Sequence, residues 1–374
     1  MDFSTTPRII LKEGATLELA SLLKELHISC VLILTDAGLI KAGVISPILS
    51  SLAEAFIEVR IFDQVVADPP VSVVEAAVAA APKKVDCVIG IGGGSTLDTA
   101  KLVAYLLKSP CDVESLFGVN MAKETRLPLI LIPTTAGTGS EVTPIAIVTS
   151  KVGEKKGIVA QQLLPDIAIL DPLTTLSVPP AATAATAIDA MVHAIEAYTS
   201  KIKKNPLSDF LAKDALILLV KNFPAVMKRP GDVQARANML LGSCLAGMAF
   251  ANSPVGAIHA LAYPLGARHH VPHGLSNAIM MRVVMEFNMS AAEKEYAELG
   301  DFLAMNGGGT SGLRKTLHDL VALSGLPMSL RDVGVQSGDI PDLARDAMLQ
   351  QRLLVNNPVL VTYEDAIHLY ESVF

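Results

Sequence analysis

An α/β N-terminal domain, with a mostly parallel, Rossmann-like sheet, followed by an all-α C-terminal domain is the fold class this chain predicts. In the first half, short apolar runs alternate with helical patterns, and one run, Val85 to Ile91, ends in the triple glycine Gly92-Gly93-Gly94 and opens a helix. In the second half strand signals nearly vanish and long helical patterns dominate. Composition agrees: the chain is 51% hydrophobic but only 4% aromatic, with no Trp, so Ala, Val, Leu and Ile carry the core. Helices packed on a parallel sheet have that make-up. A length of 374 residues suits two domains. The punctuation Leu176-Ser-Val-Pro-Pro180 places the boundary near 178, giving domains 1–178 and 179–374.

Taken in order, residues 7–12 read as a short strand, broken by Gly14, and 15–26 as a helix. Cys30 to Asp36 is an apolar run with an acid at its end, the pattern of a buried parallel strand. An acid there either hydrogen-bonds an adenosine ribose 2′-OH or caps the next turn, and Asp36 suits both. Residues 57–62 suggest another strand, and 71–81 an Ala-rich helix opened by Asp68-Pro69-Pro70. After the strand at Val85–Ile91, three glycines allow close backbone approach and unusual torsions, and the following helix N-terminus suits a pyrophosphate. Tight strand-to-helix turns use glycine as well, and the spacing is not G-x-G-x-x-G. Ser95 and Asp98 have capping-box-like spacing. Leu127 to Ile132 is a further strand, leading into the hydroxyl-rich loop Pro133-Thr-Thr-Ala-Gly-Thr-Gly-Ser-Glu141, in which Thr138 and Glu141 are spaced as a capping box. Such a loop bonds diphosphate and ribose oxygens or is simply a turn. The pair Lys155-Lys156, like Lys83-Lys84 and Lys203-Lys204, reads as a solvated loop.

Beyond residue 178, helical patterns run over 181–200, 207–223, 232–250, 255–266, 275–288, 291–303, 311–323, 341–349 and 363–372. Gly307-Gly-Gly309 has no strand before it and reads as a helix connection rather than a second phosphate loop. Within this half, Ile258 to Gly274 holds four of the chain's eight histidines: His259, His269, His270 and His273. Upstream, Asp189 and His193 are four apart and project from one helical face. A lone buried histidine is usually a packed core residue; four within fifteen positions are harder to explain so. An unpaired Asp189 in an apolar helix is costly, and a metal relieves that cost. His273 sits in a rigid turn between Pro272 and Gly274. Adjacent His269 and His270 cannot both face the same site.

A net charge of −7 with no basic cluster argues against nucleic-acid and anionic-lipid partners. No uninterrupted apolar run reaches a membrane span, and the start lacks a secretory pattern, so the expected location is cytoplasmic. Cys30, Cys87, Cys111 and Cys244 lie far apart, with no C-x-x-C pair, which makes a cysteine metal site improbable.

Together these segments resemble the iron-containing, or group III, alcohol dehydrogenase family. The likeness runs over nearly the whole chain: Thr35–Gly43, Gly92–Lys101, Pro133–Thr143, Ile188–Tyr198 and Ile258–Gly274. It implies a dehydroquinate-synthase-like fold, an NAD(P)-binding α/β domain, a helical domain and a metal in the cleft between them. By motif, the implied metal ligands are Asp189, His193, His259 and His273. Gly93, Gly94, Ser95, Thr134, Thr135, Thr138 and Lys155 would line the cofactor site, with Asp98 and Thr143 of the same motifs beside them. Asp36 matches the family's acid that favours NAD over NADP, and Phe250 would wall the nicotinamide and substrate cleft. Tyr263 stands where many members carry a histidine; it still exchanges hydrogen bonds, but a reference pKa of about 10 makes it a poorer base, and His269 or His270 would substitute. Asp68-Pro-Pro replaces an Asn-Pro-Thr type of turn.

The resemblance thus implies a metal-dependent, NAD(H)-linked alcohol dehydrogenase or aldehyde or ketone reductase, using Fe2+ or Zn2+. It acts on a small-molecule alcohol or aldehyde, as a homodimer or a multiple of dimers, paired through a sheet edge at residues 7–12. An oxo-acid reductase, a dehydroquinate-synthase-like lyase and a non-catalytic nucleotide binder are the alternatives. Arg268 is the one arginine within the histidine block, which weakly disfavours an anionic substrate.

Overall fold

The structure is a computed structural model describing residues 2–374. Its strands are β1 (Arg8–Leu11), β2 (Cys30–Leu34), β3 (Glu58–Phe62), β4 (Cys87–Gly92), β5 (Gly118–Val119), β6 (Leu129–Pro133), β7 (Ile145–Thr149), β8 (Lys155–Val159) and β9 (Ile167–Leu170). The helices before residue 179 are α1 (Leu19–Glu25), α2 (Ala37–Lys41), α3 (Ser46–Glu54), α4 (Val71–Ala80) and α5 (Gly94–Lys108). Then follow α6 (Pro180–Thr199), α7 (Pro206–Lys228), α8 (Val233–Asn252), α9 (Ala257–His269), α10 (His273–Leu303), α11 (Gly309–Ser324), α12 (Ile340–Met348), α13 (Gln351–Leu354) and α14 (Tyr363–Glu371). Two compact units emerge: Thr5–Val178, and Pro179–Phe374 together with residues up to Ser4.

In the first unit six strands form one sheet in the order β1-β9-β6-β4-β2-β3, every neighbouring pair parallel. β2, β4, β6 and β9 are buried along their whole length because both faces are covered. Residues two apart share a face. Val31, Ile33, Ile89 and Ile132 pack with Leu23, Ile48 and Leu52 of α1 and α3. Leu32, Leu34, Val88 and Leu131 pack with Val74, Leu97 and Val103 of α4 and α5. The chain runs outward from β2 to β3, returns to β4 on the other side of β2, and continues to β6. Its order therefore reverses between β2 and β4, and ligands of open parallel sheets bind beyond the strand carboxyl ends at such a point. Asp36 and Gly93 follow those two strand ends.

A second sheet, β5-β8-β7, was not foreseen in the sequence. The Lys155-Lys156 stretch, read as solvated loop, is the start of β8, paired antiparallel with β7. Two further expectations are corrected. α5 is capped by the backbone of Gly93 with no side-chain cap, so Ser95 lies inside the helix, where its Oγ accepts from the Asp68 N–H at 3.3 Å. Thr138 and Glu141 form no capping box either: the short turn Ser140–Val142 follows Gly139 (φ 60°), and Thr138 Oγ1 accepts from the Ser140 N–H.

The second unit is helical throughout. α6 is buried on nearly every face from Thr183 onward and is its central element. The helices expected at 275–288 and 291–303 are present as two helical stretches, labelled together as α10 and parted by a kink where Ala292 departs from helical torsions (φ −126°, ψ 16°). Ser4 belongs here through a two-way backbone pairing with the Asn252 amide at 2.8 Å. Among the described residues no single helix is long and apolar enough to cross a membrane.

Candidate functional site

α6 carries Asp189 and His193 one turn apart, both buried. His259 lies in the first turn of α9, and His273 is the first residue of α10. What brings α10 to α6 is the absence of a side chain at Gly274: a Cβ there would lie 2.3 Å from the Ala185 carbonyl oxygen and 3.3 Å from Asp189 Cβ. One donor atom from each of Asp189, His193, His259 and His273 lies within 4.8 Å of the others. Asp189 Oδ1 is 3.9, 3.8 and 3.6 Å from Nε2 of His193, His259 and His273. The imidazole of His193 stacks on that of His259, ring centroids 4.7 Å apart.

The donor set fits a divalent metal. Four lone-pair groups converge, one of them a carboxylate, and three of the four residues are buried. Burial alone would raise the Asp189 carboxyl, but the His193, His273 and His259 rings and the Asn277 N–H outweigh it and hold the group below its usual range. Burial, then the neighbouring imidazoles, push His259 well below its usual value. An anionic carboxylate and a neutral imidazole are the forms that bind a cation. Asn277 Nδ2 stands 2.6 Å from Asp189 Oδ1, 3.2 Å from His259 Nε2 and 3.3 Å from His273 Nε2, a positively polarised group set among these acceptors. Its own Oδ1 is buried without a hydrogen-bond partner.

Around this centre, the Phe250 ring stacks on His193 at 4.4 Å, and Tyr263 tilts against His273 with centroids 5.6 Å apart. His269 is outside the four-donor group; its Nε2 lies 3.6 Å from Asp339 Oδ2. His270 is the left-handed residue that ends α9 (φ 55°). Arg268 pairs with Asp346 and Asp342 at the surface. Glu196, two turns beyond Asp189 on α6, contacts His259 Nδ1 at 2.6 Å. Sequence reasoning passed over Glu196 and Asn277. For Glu196 the signal was present as the spacing 189, 193, 196, one helical face with a second acid in an Ala-rich stretch.

In the Thr5–Val178 unit the remaining candidates gather at the carboxyl ends of β2, β4 and β6. None of Gly92, Gly93 and Gly94 has a positive φ, so the triple glycine serves space rather than torsion. A Cβ on Gly92 would meet Thr96 Oγ1 at 2.5 Å, and one on Gly94 would meet Thr138 Cγ2 at 2.7 Å. Thr134 donates its N–H to the Gly92 carbonyl at 3.0 Å, and Thr135 Oγ1 is the atom nearest a Cβ built on Gly93, at 3.6 Å. The hydroxyl-rich loop is braced by Lys101, a fully buried residue whose sequence gave no hint of this task. Its Nζ bonds Ser140 Oγ (2.7 Å), Thr143 Oγ1 (3.2 Å), the Ile145 carbonyl (2.6 Å) and Asp98 Oδ1 (3.3 Å). Burial lowers the Lys101 ammonium pKa, and Asp98 opposes that shift. Asp98 also accepts from the Ile147 N–H at 2.9 Å, so Asp98 and Thr143 are both engaged in the brace. Glu141 is buried beside it, its carboxyl raised to about 7 by desolvation. Lys155 Nζ lies 2.8 Å from Asp68 Oδ1. Asp36 takes the capping role, its Oδ1 accepting from the Leu39 N–H at 3.0 Å.

Residues 6–172 match the family described as iron-containing alcohol dehydrogenase, and residues 183–374 match the C-terminal part of the Fe-containing alcohol dehydrogenase family. Over 371 residues the chain is 39% identical to long-chain-alcohol dehydrogenase 1 of Geobacillus thermodenitrificans, covering 96% of this chain and 93% of that protein. The solved structure of a 1,3-propanediol oxidoreductase is similar with a TM-score of 0.95 at 32% identity, over 100% of this chain and 99% of that one. A sulfoacetaldehyde reductase from Bifidobacterium kashiwanohense, solved in complex with NAD+, gives a TM-score of 0.90 at 28% identity, over 100% and 98%. Matches that span both halves, joined to a relative this close along almost the whole length, make the chain a member of the iron-containing alcohol dehydrogenase family, and so an oxidoreductase.

Proposed function

We propose that the protein interconverts alcohols with aldehydes or ketones, with NAD(H) as redox partner and Fe2+ or Zn2+ held by Asp189, His193, His259 and His273. The convergence of those four donors within 4.8 Å carries the reading. When bound, the metal supplies Lewis acidity to the substrate oxygen and NAD(H) the hydride acceptor or donor. The chain's own groups do the rest. Asp189 brings the compensating negative charge. Phe250 covers the His193 ring and keeps water from that side. Tyr263, beside His273, holds the substrate hydroxyl by hydrogen bonding, while His269, the stand-in proton carrier the sequence offered, sits against Asp339 and outside the donor group. In the α/β half, the N–H groups at Gly93 and Gly94 open α5 toward a diphosphate, with Ser95, Thr134, Thr135, Thr138 and Lys155 around it. Asp98 and Thr143 act through the Lys101 brace. Asp36 favours NAD(H) because its charge repels a 2′-phosphate.

The substrate reading is a neutral alcohol or carbonyl compound. Arg268, the arginine of the histidine block, is already paired with Asp342 and Asp346. We place the working division at residue 178, the cofactor half before it and the metal half after it. We place the protein in the cytoplasm as a homodimer or a multiple of dimers; pairing is supported by β1, an edge strand of the parallel sheet on which Leu11 is exposed.

Metal analysis of anaerobically purified protein and NADH absorbance with a panel of alcohols and aldehydes test this together. The expected result is about one metal per chain and steady NADH appearance with neutral alcohols. Metal-loaded protein that turns over no member of the panel would sink the reading. Light scattering that returned a 39.4 kDa monomer at micromolar concentration would sink the dimer.

A further inference from the structure

α9 begins without a cap of its own. Its N-cap residue is Gly256, which has no side chain to offer the first N–H groups. Those groups are satisfied from elsewhere in the helical unit. The Ala257 N–H donates to Asn357 Oδ1 at 3.3 Å, and the Ile258 N–H donates to Glu196 Oε1 at 2.7 Å. The other oxygen of the same carboxylate, Oε2, lies 2.6 Å from Nδ1 of His259, the next residue along. Glu196 is 5% exposed and sits three residues beyond His193 on α6.

We propose that Glu196 is a positioning residue for the metal centre, acting through His259; the proposal rests on the four-donor reading above. A neutral imidazole that offers its Nε2 lone pair must carry its hydrogen on Nδ1. Glu196 Oε2 accepts that hydrogen, which selects the tautomer and stops the ring from turning. Oε1 meanwhile pins the N–H of the preceding residue, so the helix turn and the ring it bears are set by one group. Because Glu196 shares α6 with Asp189 and His193, the position of His259 is referred to the same rigid element as the other two donors. A carboxylate of this kind also raises the basicity of the ring nitrogen it does not touch.

A plain helix cap would predict something different, and Glu196→Gln separates the two. The amide has one accepting oxygen. If that oxygen keeps the Ile258 N–H, the amide NH2 faces His259 Nδ1, demands a lone pair there and sends the ring hydrogen to Nε2. The cap survives and the tautomer is reversed. Affinity for Zn2+ is read by competition with a chromophoric chelator, alongside thermal unfolding of the metal-free protein and NADH binding by fluorescence. The expected result is Zn2+ affinity lowered by about 10- to 100-fold in Glu196→Gln. NADH binding is expected to stay at the wild-type level, and the thermal midpoint of the metal-free protein within a few degrees of it. Affinity within about twofold of wild type overturns the proposal and leaves Glu196 as a cap. Wild-type protein that takes up no Zn2+ overturns the four-donor reading itself, and the proposal with it. Should Glu196→Gln fail to fold, histidine-selective nitrogen NMR of the metal-free wild type, in which no ion dictates the tautomer, decides. A hydrogen on Nδ1 of His259, assigned by its loss in His259→Gln, sustains the proposal, and an unprotonated Nδ1 overturns it.

Discussion

The two halves of this chain build their sites from different materials. The α/β half offers backbone and small hydroxyls on loops at the carboxyl ends of its central strands, and a buried cation, Lys101, holds those loops in shape from behind. The helical half uses side chains of three helices, brought together by the close approach of α10 to α6 at Gly274. Backbone donors suit a ligand such as a diphosphate, which many N–H groups can contact at once. A metal asks for a few atoms at fixed separations, and rigid helices set those better than loops. The comparison teaches that damage should stay local: each half can be broken through its own material while the other continues to bind.

The sharpest break is in the helical half. His259→Ala should abolish metal uptake and turnover together while NADH binding persists, as read by elemental mass spectrometry, fluorescence and absorbance. Full metal content in that variant would return the histidines to packing. Next in size is a pH effect confined to the α/β half. The Glu141 carboxyl is raised from 4.5 to about 7 by burial, so between those values the folded state binds more protons than the unfolded one. Stability present below pH 4.5 is therefore lost as pH rises toward 7. Glu141→Gln cannot ionise, and should gain on wild type across that window by up to about 3 kcal/mol. Thermal midpoints of both proteins at pH 5 and pH 7.5 check it; parallel midpoints refute it.

A pair of glycine substitutions sharpens the contrast further. In Gly274→Ala the new methyl meets the backbone oxygen of Ala185, which cannot turn aside, so α10 must shift. A loss of about 1–3 kcal/mol in stability is expected, with weaker metal binding and unaltered NADH binding. In Gly94→Ala the methyl meets the Thr138 side chain instead, which can rotate. Its cost should be smaller and fall on NADH affinity alone. If Gly274→Ala weakens NADH binding as much as metal binding, the halves are not independent. The smallest effect concerns Asp36. Asp36→Ser keeps a side-chain cap for α2 but removes the charge, so the preference for NAD(H) over NADP(H), measured as the ratio of kcat/KM, should narrow by roughly tenfold. An unchanged ratio would leave Asp36 as a helix cap only.

Burial alone did not decide which strands could be read: the half-exposed β1 and β3 were read along with the buried β2, β4 and β6, while β9, buried but only four residues long, was missed. β2, β4 and β6 are runs of Val, Ile and Leu because nothing polar is tolerated on either side. β7 and β8 alternate or carry charge, since one face of their small sheet is open, and they resembled loops. The four converging donors were legible because histidine is rare and clusters visibly. For Glu196 the spacing showed the shared helical face but not the contact, because its partner is 63 positions away. Of the two reasons the sequence offered for the glycines, close approach and unusual torsion, torsion does not apply. Torsion is a local property that a pattern can suggest, whereas crowding by Thr96 and Thr138 depends on packing.

α6 has one consequence that concerns phase. Asp189, His193 and Glu196 recur every three or four residues along a single rod, so their mutual spacing is set by helical pitch rather than by the packing around them. Substitutions elsewhere can slide or tilt the rod, but they cannot move one of these groups against another. Inserting or deleting one residue between them would rotate everything downstream by about 100° and scatter the set at a stroke. Accommodation of ions of unequal radius must accordingly come from α9 and α10, which bring one imidazole each and are joined through the short link at Val271 and Pro272.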